Sequence, residues 1–221
     1  MSKHEVILSA ILAPMVIYFI RHGETLFNRE QRAQNREVPL SDLGKEQAKA
    51  VAKKITEFPI QSIISSPYLR TSETAAEISK TVNKAVISHE LFRELKRPTE
   101  VEGTSINDPK GKAIRALIKE HRADPNWHYS DEENFYDIKK RAQEAVRYIE
   151  MQTNDHIVIV THGVFLRMMI GTMMFGDKLD HILFEDIDRF VKTKNTGITI
   201  CRTNADNQWE MITWNEYCHL R

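Results

Sequence analysis

Only two cysteines occur in the chain, Cys201 and Cys218, close together near its C-terminal end. They have neither metal-ligand spacing nor the numbers of a disulfide framework, which fits a reducing compartment, and a cytoplasmic location is expected. No apolar run approaches the ~20 residues needed to cross a bilayer, so no membrane partner is expected. An excess of one charge is missing too. The 31 basic and 31 acidic residues among 221 cancel, so no overall field draws nucleic acid, although a local cationic pocket stays possible. Several phosphate-handling and metal designs are absent as well. There is no G-x-x-x-x-G-K-S/T loop, which excludes a P-loop nucleoside triphosphatase, and no H-E-x-x-H zinc motif. Neither cysteine is followed by an arginine at the spacing of a cysteine-based phosphatase loop. The remaining histidines form no tight ligand cluster, and Asp177 and His181, which share a helical spacing, are read as one helix face.

What is present is an alternation of apolar runs and helical patterns. Strands are expected at 16–20, 60–65, 84–88 and 156–161, with two more in "TGITICR" and "WEMITW" around the turn "NADN". Helices are expected from Ser41, with Ala48, Val51, Ala52 and Ile55 on one face, and from Ser66 as N-cap with Pro67 at the first helical position. Others are expected near 112–121, over 135–152, and in the largely buried "VFLRMMIGTMMF". Strands alternating with helices argue an α/β fold with a mainly parallel sheet covered on both faces. Residues 1–14 are read as an N-terminal extension, or as a start placed ahead of Met15; they lack the A-x-A cleavage site of a secretory signal. Residues 15–221 form one expected domain. Its polar, proline-punctuated stretch at about 96–135 reads as an insertion over one sheet edge. The Met-rich run 168–175 is read as core, and nothing in the sequence sets an oligomeric state.

Three strand ends carry the chemistry. The run 16–20 ends in Arg21-His22, the second strand leads into Ser66-Pro67 and then Arg70, and 156–161 ends in His162-Gly163. Open α/β sheets bind ligands outside the carboxyl ends of their strands, so the topology draws two arginines and two histidines together. Arg70 falls in the first turn of its helix, where the macrodipole disfavours a cation. Either it reaches away into water, or it shares an anion with the backbone N–H groups there. Gly23 beside His22 allows a sharp turn and close approach of a ligand. The expected guest is a phosphoryl group in a site without metal or cofactor, where arginines and histidines replace a divalent ion. The arginine field is expected to lower the pKa of His22 and keep a nitrogen lone pair available.

The segments "RHGETLFN" (21–28), "PLSDLGKEQA" (39–48), "SSPYLRTSETA" (65–75), "ELFRELKRPTEVEG" (90–103) and "VTHG" (160–163), in this order, resemble the histidine phosphatase superfamily, in its phosphoglycerate mutase-like branch. The resemblance implies a three-layer α/β/α fold around a mixed, mainly parallel six-stranded sheet. It makes His22 the nucleophile and Arg21, Arg70 and His162 the phosphoryl clamp, with Glu94 as proton donor. Asn28 would help line the phosphate pocket, and Gly163 would let the backbone pass close beside His162. Around Glu94 the chain departs from the family's pattern, with Lys96-Arg97-Pro98 in place of a glycine-containing interval, so Glu100 and Glu102 stand as alternatives. The implied activity is hydrolysis of small phosphorylated metabolites. A phosphoglycerate mutase is the alternative within the same chemistry, and a non-catalytic regulator that binds a phosphorylated ligand is the alternative outside it. Specificity for the leaving group is expected to reside in residues 96–135.

Overall fold

A computed structural model describes residues 14–221; the N-terminal extension expected at 1–14 lies, but for Pro14, outside the described residues. Six strands form one mixed sheet: β1 (Val16–Arg21), β2 (Ser62–Ser65), β3 (Val86–Ser88), β4 (His156–Thr161), β5 (Ile198–Thr203) and β6 (Trp209–Glu216). Their order is β3-β2-β4-β1-β5-β6. The first four are mutually parallel, while β5 runs antiparallel to β1 and β6 antiparallel to β5. Strand β4 is thus inserted between β2 and β1, and the carboxyl ends of all three open onto the same rim.

The apolar runs are continuous because both faces of the sheet are buried. One face, with Ile17, Phe19, Ile64, Ile157 and Ile159, packs against α5 (Phe135–Glu150) and α6 (Gly163–Phe175). The other, with Tyr18, Ile20, Ile63, Val158 and Val160, packs against α2 (Asp42–Ile55) and α3 (Leu69–Val82). The result is the three-layer α/β/α architecture that the resemblance implied. The remaining helices are α1 (Leu26–Arg29), α4 (Pro109–Glu120) and α7 (His181–Phe190). Met168 and Met169 are buried in the core, whereas Met174 is exposed. Burial pushes the Cys201 thiol up to about 12, leaving it without thiolate character near neutrality. Among the described residues no helix is long and apolar enough to cross a membrane.

Two local readings are corrected. Helix α3 begins at Leu69 with Tyr68 as its N-cap, two residues later than expected. Ser66 does not cap it, because its hydroxyl lies 2.8 Å from His162 Nε2 and its carbonyl accepts from the Thr71 hydroxyl at 3.0 Å. Asp177 and His181 do not share a helix face either: Asp177 sits in a 3-10 turn and His181 opens α7 after the break at Leu179-Asp180.

Residues 96–135 wrap over the rim as 3-10 and α-helical turns rather than strand. They are tied to the chain after α1 by reciprocal backbone bonds, Gly103 N–H to Ala33 carbonyl at 2.8 Å and Ala33 N–H to Thr104 carbonyl at 2.9 Å. Arg32 Nε adds a bond to the Gly103 carbonyl at 2.6 Å. Trp127 stacks on His121, their ring centres 4.3 Å apart, within the same segment.

Candidate active site

At the carboxyl end of β1 the chain turns inward, and His22 is only 2% exposed. Its Nδ1 lies 2.7 Å from the Gly23 carbonyl. A carbonyl only accepts, so Nδ1 carries the ring proton and Nε2 keeps its lone pair. Arg70 Nε donates toward that Nε2 at 3.3 Å, and Arg70 Nη1 donates to the Asn35 carbonyl at 2.7 Å. Arg70 is 1% exposed, so it turns into the site and not out to water. Ring centres of His22 and His162 are 5.3 Å apart. Ser66 Oγ holds His162 by Nε2, and the buried Nδ1 has no protein partner among the described residues. Arg21 reaches the same point from β1. Its Nη1 donates to the Thr193 carbonyl at 2.6 Å, while its buried Nε has no protein partner among the described residues.

Glu94 completes the group from the loop after β3. Its carboxylate accepts from the N–H groups of Val164 at 3.2 Å and Phe165 at 2.9 Å, and from Leu95 N–H at 2.9 Å. His162, the N-cap of α6, makes no side-chain cap, so Glu94 takes that place at the positive end of the helix. Glu94 lines one pocket of about 510 Å³ together with Arg21, His22, Arg70 and Gly163. Glu100 instead accepts from the Ser130 hydroxyl, and Glu102 lines a neighbouring cleft with Arg36 and Tyr68. A larger, shallower groove of about 680 Å³ between α2 and α3 contains none of the strand-end residues.

Burial, before any neighbour, sets the electrostatics. It drives the His22 pKa well below its ordinary 6.5, with Arg70 and then Arg21 adding to the effect. The lowering expected from the arginine field is present, second to burial. His162 is lowered well below the same value by burial, then by Arg70 and His22. Arg70 falls to about 10, through burial opposed by Glu94, and stays protonated at neutral pH.

Asn28 does line the pocket, but its Oδ1 accepts from Thr25 N–H at 3.1 Å and Asn195 Nδ2 at 3.3 Å, so it also braces the loop around His22. A Cβ on Gly163 would lie 3.3 Å from Thr193 Oγ1 and 3.5 Å from Arg21 Nε, crowding the pocket floor. A Cβ on Gly23 would come within 2.5 Å of the Gly44 carbonyl, so the glycine admits the start of α2. Glu24 pairs with Arg29 at 2.7 Å and accepts from the Ser41 hydroxyl at 3.0 Å, a local tie.

Sequence reading missed two supports. One is the loop before β5, where Thr193 holds Arg21 and Asn195 Nδ2 donates to the His22 carbonyl at 2.9 Å. The other is a buried ion cluster behind Glu94. Arg141 Nη1 donates to the carbonyls of Leu91 and Arg93 at 2.9 and 2.8 Å, and its charge is met by Glu133, which also binds Arg93 at 2.7 Å. Glu133 accepts from Lys96 N–H at 2.9 Å as well. No short motif announces either support, since both join segments distant in sequence. Only the capping pattern at Asn134, next to Glu133, was open to reading.

Among known proteins, the chain is 28% identical over 162 residues to a probable phosphoglycerate mutase of Proteus mirabilis, covering 72% of this chain and 74% of that one. It is 23% identical to an uncharacterized phosphatase of Bacillus subtilis, covering 92% of this chain and 96% of the relative. Its fold matches a phosphoserine phosphatase of Entamoeba histolytica with a TM-score of 0.77 at 24% identity, over 94% of this chain and all of the other. The family model for branch 1 of the histidine phosphatases matches residues 17–217. With Arg21-His22, Arg70 and His162 converging at one sheet rim, the chain belongs to the histidine phosphatase superfamily (branch 1).

Proposed function

We propose that the protein hydrolyses phosphomonoesters of small metabolites through a phosphohistidine on His22, without a metal ion. The observation that carries the reading is the state of His22: Nδ1 is engaged by the Gly23 carbonyl, which leaves Nε2 in the pocket without a proton, its lone pair turned toward Arg70 Nε at 3.3 Å. In the first step His22 Nε2 forms an N–P bond as the ester P–O bond breaks, and Glu94 gives a proton to the departing oxygen. In the second, water forms an O–P bond as the N–P bond breaks, and Glu94 takes the water's proton. Charge spreads over the equatorial oxygens during both transfers, so fixed cationic donors do most of the work. Arg21 Nε and Arg70 meet that charge, and His162 Nδ1, without a partner among the described residues, faces it. The pocket volume suits a small ligand.

The test is a rapid quench with a ³²P-labelled phosphomonoester in the presence of EDTA. A base-stable, acid-labile phosphoryl adduct on His22 is expected, with turnover unaffected by the chelator. Turnover that stops in EDTA, or an adduct on another residue, overturns the reading. A mutase reading draws support from the probable phosphoglycerate mutase among the relatives. Rapid isomerisation of 3-phosphoglycerate with a bisphosphoglycerate primer, without phosphate release, would favour it.

Ser66→Ala removes the side-chain hydrogen bond that orients His162 among the described residues. A single hydrogen bond amounts to about 1 kcal/mol, so kcat is expected to fall about fivefold to tenfold. Steady-state kinetics beside a melting curve checks this, and an unchanged kcat would show that His162 needs no such hold.

A further inference from the structure

The floor of the pocket carries enough cations for a phosphoryl group, yet the wall continues the same charge outward. Seven cationic side chains line it against one carboxylate, Glu94. Arg21, Arg70 and Arg167 belong to the floor, and Arg167 is paired with Asp188 at 2.6 Å. Arg32, Arg97, Arg115 and Lys192 form an outer tier. Of these, Arg32 is partly balanced by Glu30 at 3.1 Å. Arg97, Arg115 and Lys192 have no carboxylate within ion-pair distance among the described residues. Arg115 donates only to the backbone carbonyl of Ile106, and Lys192 to that of Asp188 at 3.0 Å. Arg97 makes no hydrogen bond to the described residues.

Like charges gathered around one concavity repel, and the arrangement is favoured only when an anion occupies it. A phosphomonoester dianion held on the floor is matched there by Arg21 and Arg70, which leaves the outer tier uncompensated. Arg97 and Arg115 come from the 96–135 segment, Arg32 from the chain it is tied to, and Lys192 from the opposite side. Guanidinium groups at two points on a wall suit planar or tetrahedral oxyanions.

Resting on the hydrolase reading above, we propose that the substrate is a phosphomonoester bearing a second anionic group, carboxylate or phosphate, recognised by Arg97 and Arg115. A substrate ammonium is disfavoured by the same tier.

Matched compounds separate the possibilities. Glycerol 3-phosphate has no second anion, 3-phosphoglycerate adds a carboxylate, 2,3-bisphosphoglycerate adds a second phosphate as well, and O-phosphoserine adds a carboxylate with an ammonium. Wild-type kcat/KM is measured for each, and calorimetric affinities are measured with the His22→Ala variant. Both are expected to favour 3-phosphoglycerate or 2,3-bisphosphoglycerate over glycerol 3-phosphate by about tenfold or more, the range of one or two charge-assisted hydrogen bonds. O-phosphoserine should fall below 3-phosphoglycerate. The ratio for second-anion over single-anion compounds is expected to collapse about tenfold in Arg97→Gln/Arg115→Gln. Arg97→Gln alone, which removes no hydrogen bond to the described residues, repeats the test should the double variant fold poorly. Equal values across the set, or a ratio unchanged in folded Arg97→Gln, would overturn the proposal while leaving hydrolysis intact. The affinity order with no hydrolysis of any compound would support it and overturn the hydrolase reading instead.

Discussion

Replacing His22 by alanine is expected to lower kcat for p-nitrophenyl phosphate by about 10⁴-fold or more, the scale seen when a nucleophile that acts as part of a unit is removed. The substitution takes away the unprotonated ring nitrogen, Nε2, toward which Arg70 donates. The anion cradle stays, because Arg21 is held by Thr193 and His162 by Ser66, while Arg70 loses its bond to the His22 ring but keeps the one to Asn35. The variant should therefore still bind inorganic phosphate while losing turnover. Retention of even a tenth of wild-type kcat would mean that attack comes from elsewhere. The pH profile of the wild type offers a second check. Burial, then Arg70 and Arg21, hold the His22 pKa well below 6.5, so the attacking nitrogen stays unprotonated as pH falls through that value. The acid limb of kcat/KM is expected below the ordinary histidine range, and a limb centred at 6.5 would contradict a buried, cation-flanked imidazole.

Glu133→Gln should give the largest loss of stability. Glu133 is the common anion for Arg93 and Arg141, and its side chain and that of Arg141 are 10% and 9% exposed. Removing one partner of a buried pair leaves an uncompensated charge, at about 3 to 5 kcal/mol. For a chain of this size that is a fall in melting temperature of about 10 °C. Activity should fall with it, since Arg141 also binds the backbone carbonyls that fix the loop carrying Glu94. Burial opposes ionisation of Glu133, but hydrogen bonds from Arg141 and Arg93 outweigh it and bring its pKa from 4.5 to about 2. A carboxyl lowered on folding stabilises fully above its unfolded value and loses that contribution as pH drops through the folded one. The gap between wild type and Glu133→Gln in chemical denaturation should therefore be constant above about pH 4.5 and narrow toward pH 2. A gap that does not change between pH 7 and pH 3 would show that the carboxylate's charge is not what stabilises the cluster.

The layers and the rim were legible in the amino-acid order alone. Two-sided burial leaves uninterrupted apolar strands, helical spacing leaves one apolar face, and the residues that follow such strands are bound to meet at a parallel sheet's carboxyl edge. Arg21, His22, Arg70 and His162 were readable for that reason. Three points needed the folded chain: which way Arg70 turns, that Ser66 serves His162 and does not cap α3, and that Glu94, not Glu100 or Glu102, lines the pocket with His22. It also supplied Thr193 and Asn195, which reach across 172 and 173 positions of chain, and the cluster in which Glu133 meets Arg93 across 40. The physical reason is the range of the interactions. Secondary structure and burial pattern are set by neighbours a few residues apart, whereas a hydrogen bond or ion pair depends on where folding places two side chains to within a fraction of an ångström.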